Sequence, residues 1–233
     1  MIRLSKRLQS VADFVEPCET MADVGTDHGY IPVYLVGCQR VKKAIALDVN
    51  RGPLLRAQEH ILQHDMKDCI ETRQSDGFAA LRPGEAETIV IAGMGGALMM
   101  RILDQGEEKA RAAERLVLQP QSEWMAFRRF LYENQYQITA EDMVYEDGKY
   151  YPVMAVSSGQ AKEKDSRIQW KYGSLLLARR HPVLEQYLRK QQQQKRKILQ
   201  NLEQYAKQNV KERTKELVQE LEDIETALQM FKN

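Results

Sequence analysis

Short apolar runs alternate along this chain with segments whose apolar residues recur every third or fourth position. Leu4, Leu8, Val11 and Val15 have the helical spacing and predict an amphipathic helix at the start. From residue 20 the rhythm becomes regular. TMADVG reads as a buried strand and YIPVYLV as the helix after it, then KAIALDV as a strand and GPLLRAQEHILQHD as a helix with Pro53 near its start. CIETRQS is a strand, GFAAL a helical turn, TIVIAG an apolar strand and GALMMRILDQG a helix closed by Gly106. RLVLQP is the fifth strand and EWMAFRRFLYEN an amphipathic helix. Strands alternating with helices imply a parallel sheet wound on both faces.

The end of the series breaks this rule. YQITAEDMVYEDGKYYPVMAVSS holds two strand-like runs with no helix between them, and EDGK is an Asp-Gly hairpin signal. Five parallel strands followed by an antiparallel pair make a seven-stranded sheet. By fold analogy this is the sheet of Rossmann-like class I methyltransferases that use S-adenosylmethionine. From about Gln160 the strand patterns stop. SRIQWKYGSLLLARRH predicts one or two short helices broken at Gly173, and Pro182 opens a long helix. Leu184, Leu188, Gln191, Lys195, Ile198, Leu202 and Tyr205 follow heptad spacing, and so do Val210, Thr214, Leu217, Leu221, Ile224, Leu228 and Phe231 beyond AKQN. Two such segments joined by a short turn predict an antiparallel coiled-coil hairpin. The polar Gln191 and Lys195 weaken its first seam at the middle. The chain thus divides into an α/β domain, 1–160, and a helical domain, 161–233.

Of the 233 residues 43% are hydrophobic, the ordinary share for a globular protein, and no apolar run approaches the ~20 residues of a membrane helix. The N-terminus has no signal-peptide pattern, so a soluble, cytoplasmic protein is expected. Cys18, Cys38 and Cys69 match no metal or redox spacing. His60 and His64 lie four apart on a helix, but nothing is placed to complete a metal site with them, and no metal is expected. The net charge of +1 conceals an asymmetry: residues 1–159 hold 18 basic and 23 acidic residues, whereas residues 162–215 hold 15 and 5. A basic block of this kind fits either a polyanion partner or a solvated helical face.

Chemistry concentrates in the loops after the strands. A dinucleotide-binding loop reads G-x-G-x-x-G because a pyrophosphate needs bare backbone. Here the first loop reads Gly25-Thr26-Asp27-His28-Gly29, with Asp27 in place of the second glycine. A carboxylate there repels a pyrophosphate and suits a cationic ligand such as S-adenosylmethionine, which carries a sulfonium and an ammonium. Asp48 ends the second strand, where a carboxylate can accept both ribose hydroxyls. Asp76 and Gly77 follow the third strand and can meet an adenine, and Ala92-Gly93-Met94-Gly95-Gly96 follows the fourth. Four such loops converge on the crevice where open α/β sheets bind ligands.

LSKRLQSVADFV, ADVGTDHGYIPVYL, ALDVNRGPL, SDGF, IAGMGG and LQPQSE, followed by a heptad tail, resemble the bacterial tRNA (adenine-N1)-methyltransferases that modify adenine 22. The resemblance covers essentially the whole chain. It implies transfer of a methyl group from S-adenosyl-L-methionine to adenine N1 of a tRNA, leaving S-adenosyl-L-homocysteine; the short turn of the helical hairpin favours pairing within the chain, so a monomer is expected. The resemblance places the cofactor against Asp23, Gly25, Thr26, Asp27, His28, Gly29, Asp48, Val49, Asn50, Asp76, Gly77, Ala92, Gly93, Met94 and Gly95. Asp27 is a candidate acceptor for the adenine N6 amino group, or a second holder of the methionine end. His28 and Tyr30 can stack on the base, and Gln119 can read its edge. Arg3, Lys6, Arg7 and the block from Lys162 to Lys215 are the candidate phosphate contacts. The competing readings are the same fold acting on another RNA site or a protein, an inactive RNA-binding copy, and, weakest, a nicotinamide dehydrogenase.

Overall fold

A computed structural model describes residues 2–159, 164–205 and 211–232. The chain separates into two compact units, Met1–Lys164 and Asp165–Asn233. The expected boundary at 160/161 lies outside the described residues.

The first unit runs α1 (Lys6–Asp13), β1 (Cys18–Val24), α2 (Tyr30–Gly37), β2 (Val41–Asp48), α3 (Arg51–Gln63), β3 (Ile70–Gln74), β4 (Thr88–Met94), α4 (Gly96–Gln105), α5 (Glu107–Ala112), β5 (Arg115–Pro120), α6 (Trp124–Glu133), β6 (Tyr136–Glu146) and β7 (Lys149–Ser158). Its seven strands lie in the order β3-β2-β1-β4-β5-β7-β6. β1 through β5 pair in parallel, and β7 joins antiparallel to both β5 and β6. The central strands are apolar on both faces because helices cover both. Ile89 and Ile91 pack with Met99, Leu103 and Phe127 from α4 and α6. Val90 and Val117 face the other way, onto Val11 of α1 and Ile31 and Leu35 of α2.

The hairpin between β6 and β7 turns on Asp147 and Gly148, with φ 48° and 80°. Two left-handed residues in succession suit a strand pair with right-handed twist, and Asp-Gly tolerates them. Behind the hairpin, Arg128 of α6 and Glu141 of β6 form a fully buried ion pair at 2.8 Å. α5 is absent from the hydrophobic pattern. Its six residues, EEKARA, bury only Ala110 and so leave no apolar stripe to read.

The second unit holds α7 (Arg167–Tyr172), α8 (Ser174–Ala178), α9 (Pro182–Tyr205) and α10 (Lys211–Gln229). Ser166 and Gln169 form a capping box at the start of α7, and Gly173, at φ 93°, separates α7 from α8. Arg167 and Lys171 reach the buried Asp223 of α10 at 3.1 and 2.8 Å. Leu184 and Leu188 of α9 and Leu217, Leu221, Ile224 and Leu228 of α10 are buried. At the middle of the seam Lys195 pairs with Glu220, and Ile198 is 43% exposed. One charged seam position has found a charged partner, and beyond it Leu202 and Thr214 are half-buried. AKQN, Val210 and the side chain of Tyr205 lie outside the described residues.

Candidate active site

Strand order reverses between β1 and β4, so the loops after these strands diverge and leave a crevice at their C-terminal ends. A cavity of about 240 Å³ lies there, lined among others by Asp23, Gly25, Thr26, Asp27, Tyr30, Ala92 and Gly93. Asp23 is 4% exposed. Burial pushes its carboxyl up to about 7, offset in part by Thr26, and the nearby Asp48 raises it further. A buried acid of this kind is a standing demand for a cation.

Gly25 has φ 78°, and a Cβ there would come within 2.1 Å of the Met94 methyl. The Met94 side chain therefore lies directly over the backbone of the first loop. Asp27, at φ 48°, turns its carboxylate outward to Arg56 of α3 at 2.7 Å, with His28 at 3.7 Å. Tyr30 is 41% exposed at the cavity wall and stacks on His28, ring centroids 5.3 Å apart. His60 packs edge-on to Tyr30, and its Nδ1 meets the carbonyl of His28 at 3.1 Å. Burial, together with the neighbouring His64 and His28, holds His60 below the usual histidine range despite that hydrogen bond. Among the described residues no group of histidine, cysteine or carboxylate side chains is placed to hold a metal.

Not all expected site residues meet in this cavity. Asp76 and Gly77 line a second one, of about 190 Å³, with Phe78 and residues of α4 and α5. Lys109 of α5 donates to the Phe78 carbonyl at 2.9 Å and steadies that loop. Asp48, Val49 and Asn50 line neither cavity. Asp48 Oδ1 instead accepts from the Asn50 amide at 2.8 Å and sets the turn into α3. Gln119 has no exposed surface, because Arg7 donates to its Oε1 at 3.1 Å, so it cannot touch a base as placed. Gln121, two residues on, lines the cavity in its stead.

Four contributors do not show in the sequence as site residues. Arg7, expected to face phosphates, points into the cavity and lies 5.6 Å from the Tyr151 ring centroid. Glu146 places it there: its carboxylate accepts from the amides of Lys6 and Arg7 at 2.7 and 3.3 Å. These bonds outweigh its burial and hold the Glu146 carboxyl below its ordinary range. Glu123, at φ 57°, accepts from the Ala97 amide at 2.7 Å, and Ser122 accepts from that of Gly96 at 3.3 Å. The segment after β5 thereby fixes the loop after β4.

A family model described as tRNA (adenine(22)-N(1))-methyltransferase matches residues 21–226. The chain belongs to this family. It is 40% identical to the tRNA (adenine(22)-N(1))-methyltransferase of Bacillus subtilis over 68% of its own length and 66% of that relative. The Bacillus subtilis m1A22 tRNA methyltransferase TrmK superposes with a TM-score of 0.85 at 32% identity, covering 97% of this chain and 99% of that one. Streptococcus pneumoniae Sp1610 in complex with S-adenosyl-L-methionine gives 0.87 at 34%, covering 97% and 100%. In this member of the tRNA (adenine(22)-N(1))-methyltransferase family, residues of both GTDHGYIP and IAGMGG line one cavity.

Proposed function

We propose that this chain transfers a methyl group from S-adenosylmethionine to N1 of adenine 22 in tRNA. The observation that carries the reading is the cavity at the switch point, where the buried Asp23 and the guanidinium of Arg7 share one small space. A zwitterionic amino-acid end fits that pair, its ammonium on Asp23 and its carboxylate on Arg7. A pyrophosphate gains nothing from Asp23, which keeps its proton up to about pH 7 unless a cation is beside it, and it meets the carboxylate of Asp27 in the same lining. Asp48 would take the ribose hydroxyls, Val49 and the Asp76–Gly77 loop the adenine, and Met94 would yield to the ligand; its unbranched side chain repacks at little cost.

When bound, S-adenosylmethionine supplies a methyl group on a sulfonium, open to in-line displacement. The work left to the chain is positioning and electrostatics. Adenine N1 lies on the pairing edge, so the nucleotide must leave its stack to reach the cavity. Tyr30 and His28 offer ring faces at the mouth. Asp27 would accept from the adenine N6 amino group and offset the positive charge that the ring acquires, and Arg56 holds that carboxylate in place. Gln119, locked by Arg7, would act from behind the cavity wall. Beside α9 and α10 a groove of about 340 Å³ is lined by Arg189, Arg196 and Lys232; Arg189 is paired with Glu185 and Arg196 with Glu225, so phosphates would bind there by competing with those carboxylates.

The test uses labelled S-adenosylmethionine and an unmodified tRNA, digested to nucleosides afterwards. Label in 1-methyladenosine, lost when adenine 22 is replaced by guanine, is the expected result. Transfer to another nucleotide, or to protein only, would refute it.

A further inference from the structure

His28, Tyr30, His60 and His64 form one continuous row of rings. Tyr30 stacks on His28 at 5.3 Å and 21°, His60 meets Tyr30 edge-on at 5.0 Å, and His64 meets His60 edge-on at 4.6 Å. The row begins at the cavity wall and runs along α3, away from the crevice. Its later members are held by backbone: His60 Nδ1 by the carbonyl of His28 at 3.1 Å, His64 Nδ1 by that of His60 at 2.9 Å. All four side chains remain partly or wholly exposed. Arg56, one turn before His60 on α3, adds a half-exposed guanidinium beside the row.

We infer that this row is a stacking track for the unpaired nucleotides next to the target adenine. The inference rests on the tRNA reaction proposed above and extends it from the reacting base to its neighbours. Rings fixed by backbone hydrogen bonds lose little freedom when a base settles on them. Stacking on aromatic faces holds single strands without regard to sequence, and an arginine plane adds to it. A row built only to seal α2 against α3 would gain nothing from exposed rings. The track is continuous with the cavity through Tyr30, so a strand whose adenine enters the crevice must pass over it.

The test replaces the two distal rings, in His60→Leu/His64→Leu and in His60→Phe/His64→Phe. Binding of a labelled single-stranded oligoribonucleotide is measured with protein saturated by S-adenosylhomocysteine, so that it is independent of turnover. The leucine variant is expected to bind about tenfold more weakly, within the range for loss of base stacking. The phenylalanine variant keeps the ring faces but loses the two Nδ1 hydrogen bonds, so it is expected to bind closer to the parent than the leucine variant does, and both should keep their affinity for S-adenosylhomocysteine. Should the leucine double variant melt early, His64→Leu alone, at the far end of the row, serves in its place. Oligonucleotide binding unchanged by leucine, or lost equally with phenylalanine, overturns the track. Absence of methyl transfer by the parent protein to any tRNA would instead overturn the reaction on which it rests.

Discussion

Asp23 carries a proton in the ligand-free protein up to about pH 7, because burial, more than any neighbour, opposes its charge. A ligand with an ammonium group selects the ionised form. Affinity for S-adenosylhomocysteine should therefore rise about tenfold per pH unit below 7 and level off above it. Asp23→Asn should bind weakly and without this slope, which titrations across the range would show. The sign for stability is opposite to that of an ordinary salt-bridged carboxylate. Between the unfolded value of 3.8 and about 7 the folded state holds the extra proton, so the ligand-free protein loses stability as pH rises through that window. Melting curves of Asp23→Asn should lack that loss. The sequence shows an aspartate at this point, but its isolation from water depends on α1 and α2 closing over the sheet. No spacing rule conveys that.

Elements place the site as much as the loops do. α1 reads from the sequence as a basic amphipathic helix, and its buried face, with Val11 and the partly buried Leu8, is where the periodicity puts it, although Leu4 and Val15 fall just outside the helix. Its charged face divides unexpectedly, because Glu146 anchors the helix start and turns Arg7 inward. That interaction joins residues about 140 apart and leaves no local signal. The same holds for the pair between α6 and β6. Removing Glu141 takes a counter-charge from a buried guanidinium, so Glu141→Ala should cost about 3–5 kcal/mol in urea unfolding. Replacing Arg128 and Glu141 together by apolar residues of similar size should cost much less. A loss for Glu141→Ala below about 1 kcal/mol would show that Arg128 finds solvent. The strands, the Asp-Gly hairpin and most helices were legible because short apolar runs, a turn dipeptide and 3.6-fold repeats mark them directly. α5, with one buried alanine, carries no such mark.

At the scale of the whole chain, charge separates by segment: the first 159 residues carry an acidic excess, while residues 162–215 hold 15 basic and 5 acidic residues. Arg179, Arg196 and Lys197 are exposed in the second unit. Reversing all three to glutamate should weaken tRNA binding and flatten its dependence on salt, by roughly 0.7–0.9 in log–log slope for each phosphate no longer neutralised. Affinity for S-adenosylhomocysteine should not change. Binding of tRNA with the parent's strength and slope would remove these side chains from the RNA interface. The fold class could be read from strands and helices in alternation closed by a hairpin, and the cofactor from four loops that each carry a residue suited to one adenosine-containing ligand. How the basic segment meets RNA could not, since solvated arginines look alike whether or not a phosphate comes to them.

Met94 brings one further consequence. Its thioether methyl rests where a Cβ on Gly25 would fall, in the gap a ligand must open. Oxidation to the sulfoxide would make that side chain polar and set an oxygen against the backbone of the first loop. Brief peroxide treatment should therefore inactivate the ligand-free protein faster than the protein saturated with S-adenosylhomocysteine, and methionine sulfoxide reductase should restore it. Met94→Leu should resist the treatment, and equal inactivation of parent and variant would place the damage elsewhere. The catalytic crevice would then carry its own sensitivity to oxidative stress, through a residue that takes no part in the chemistry.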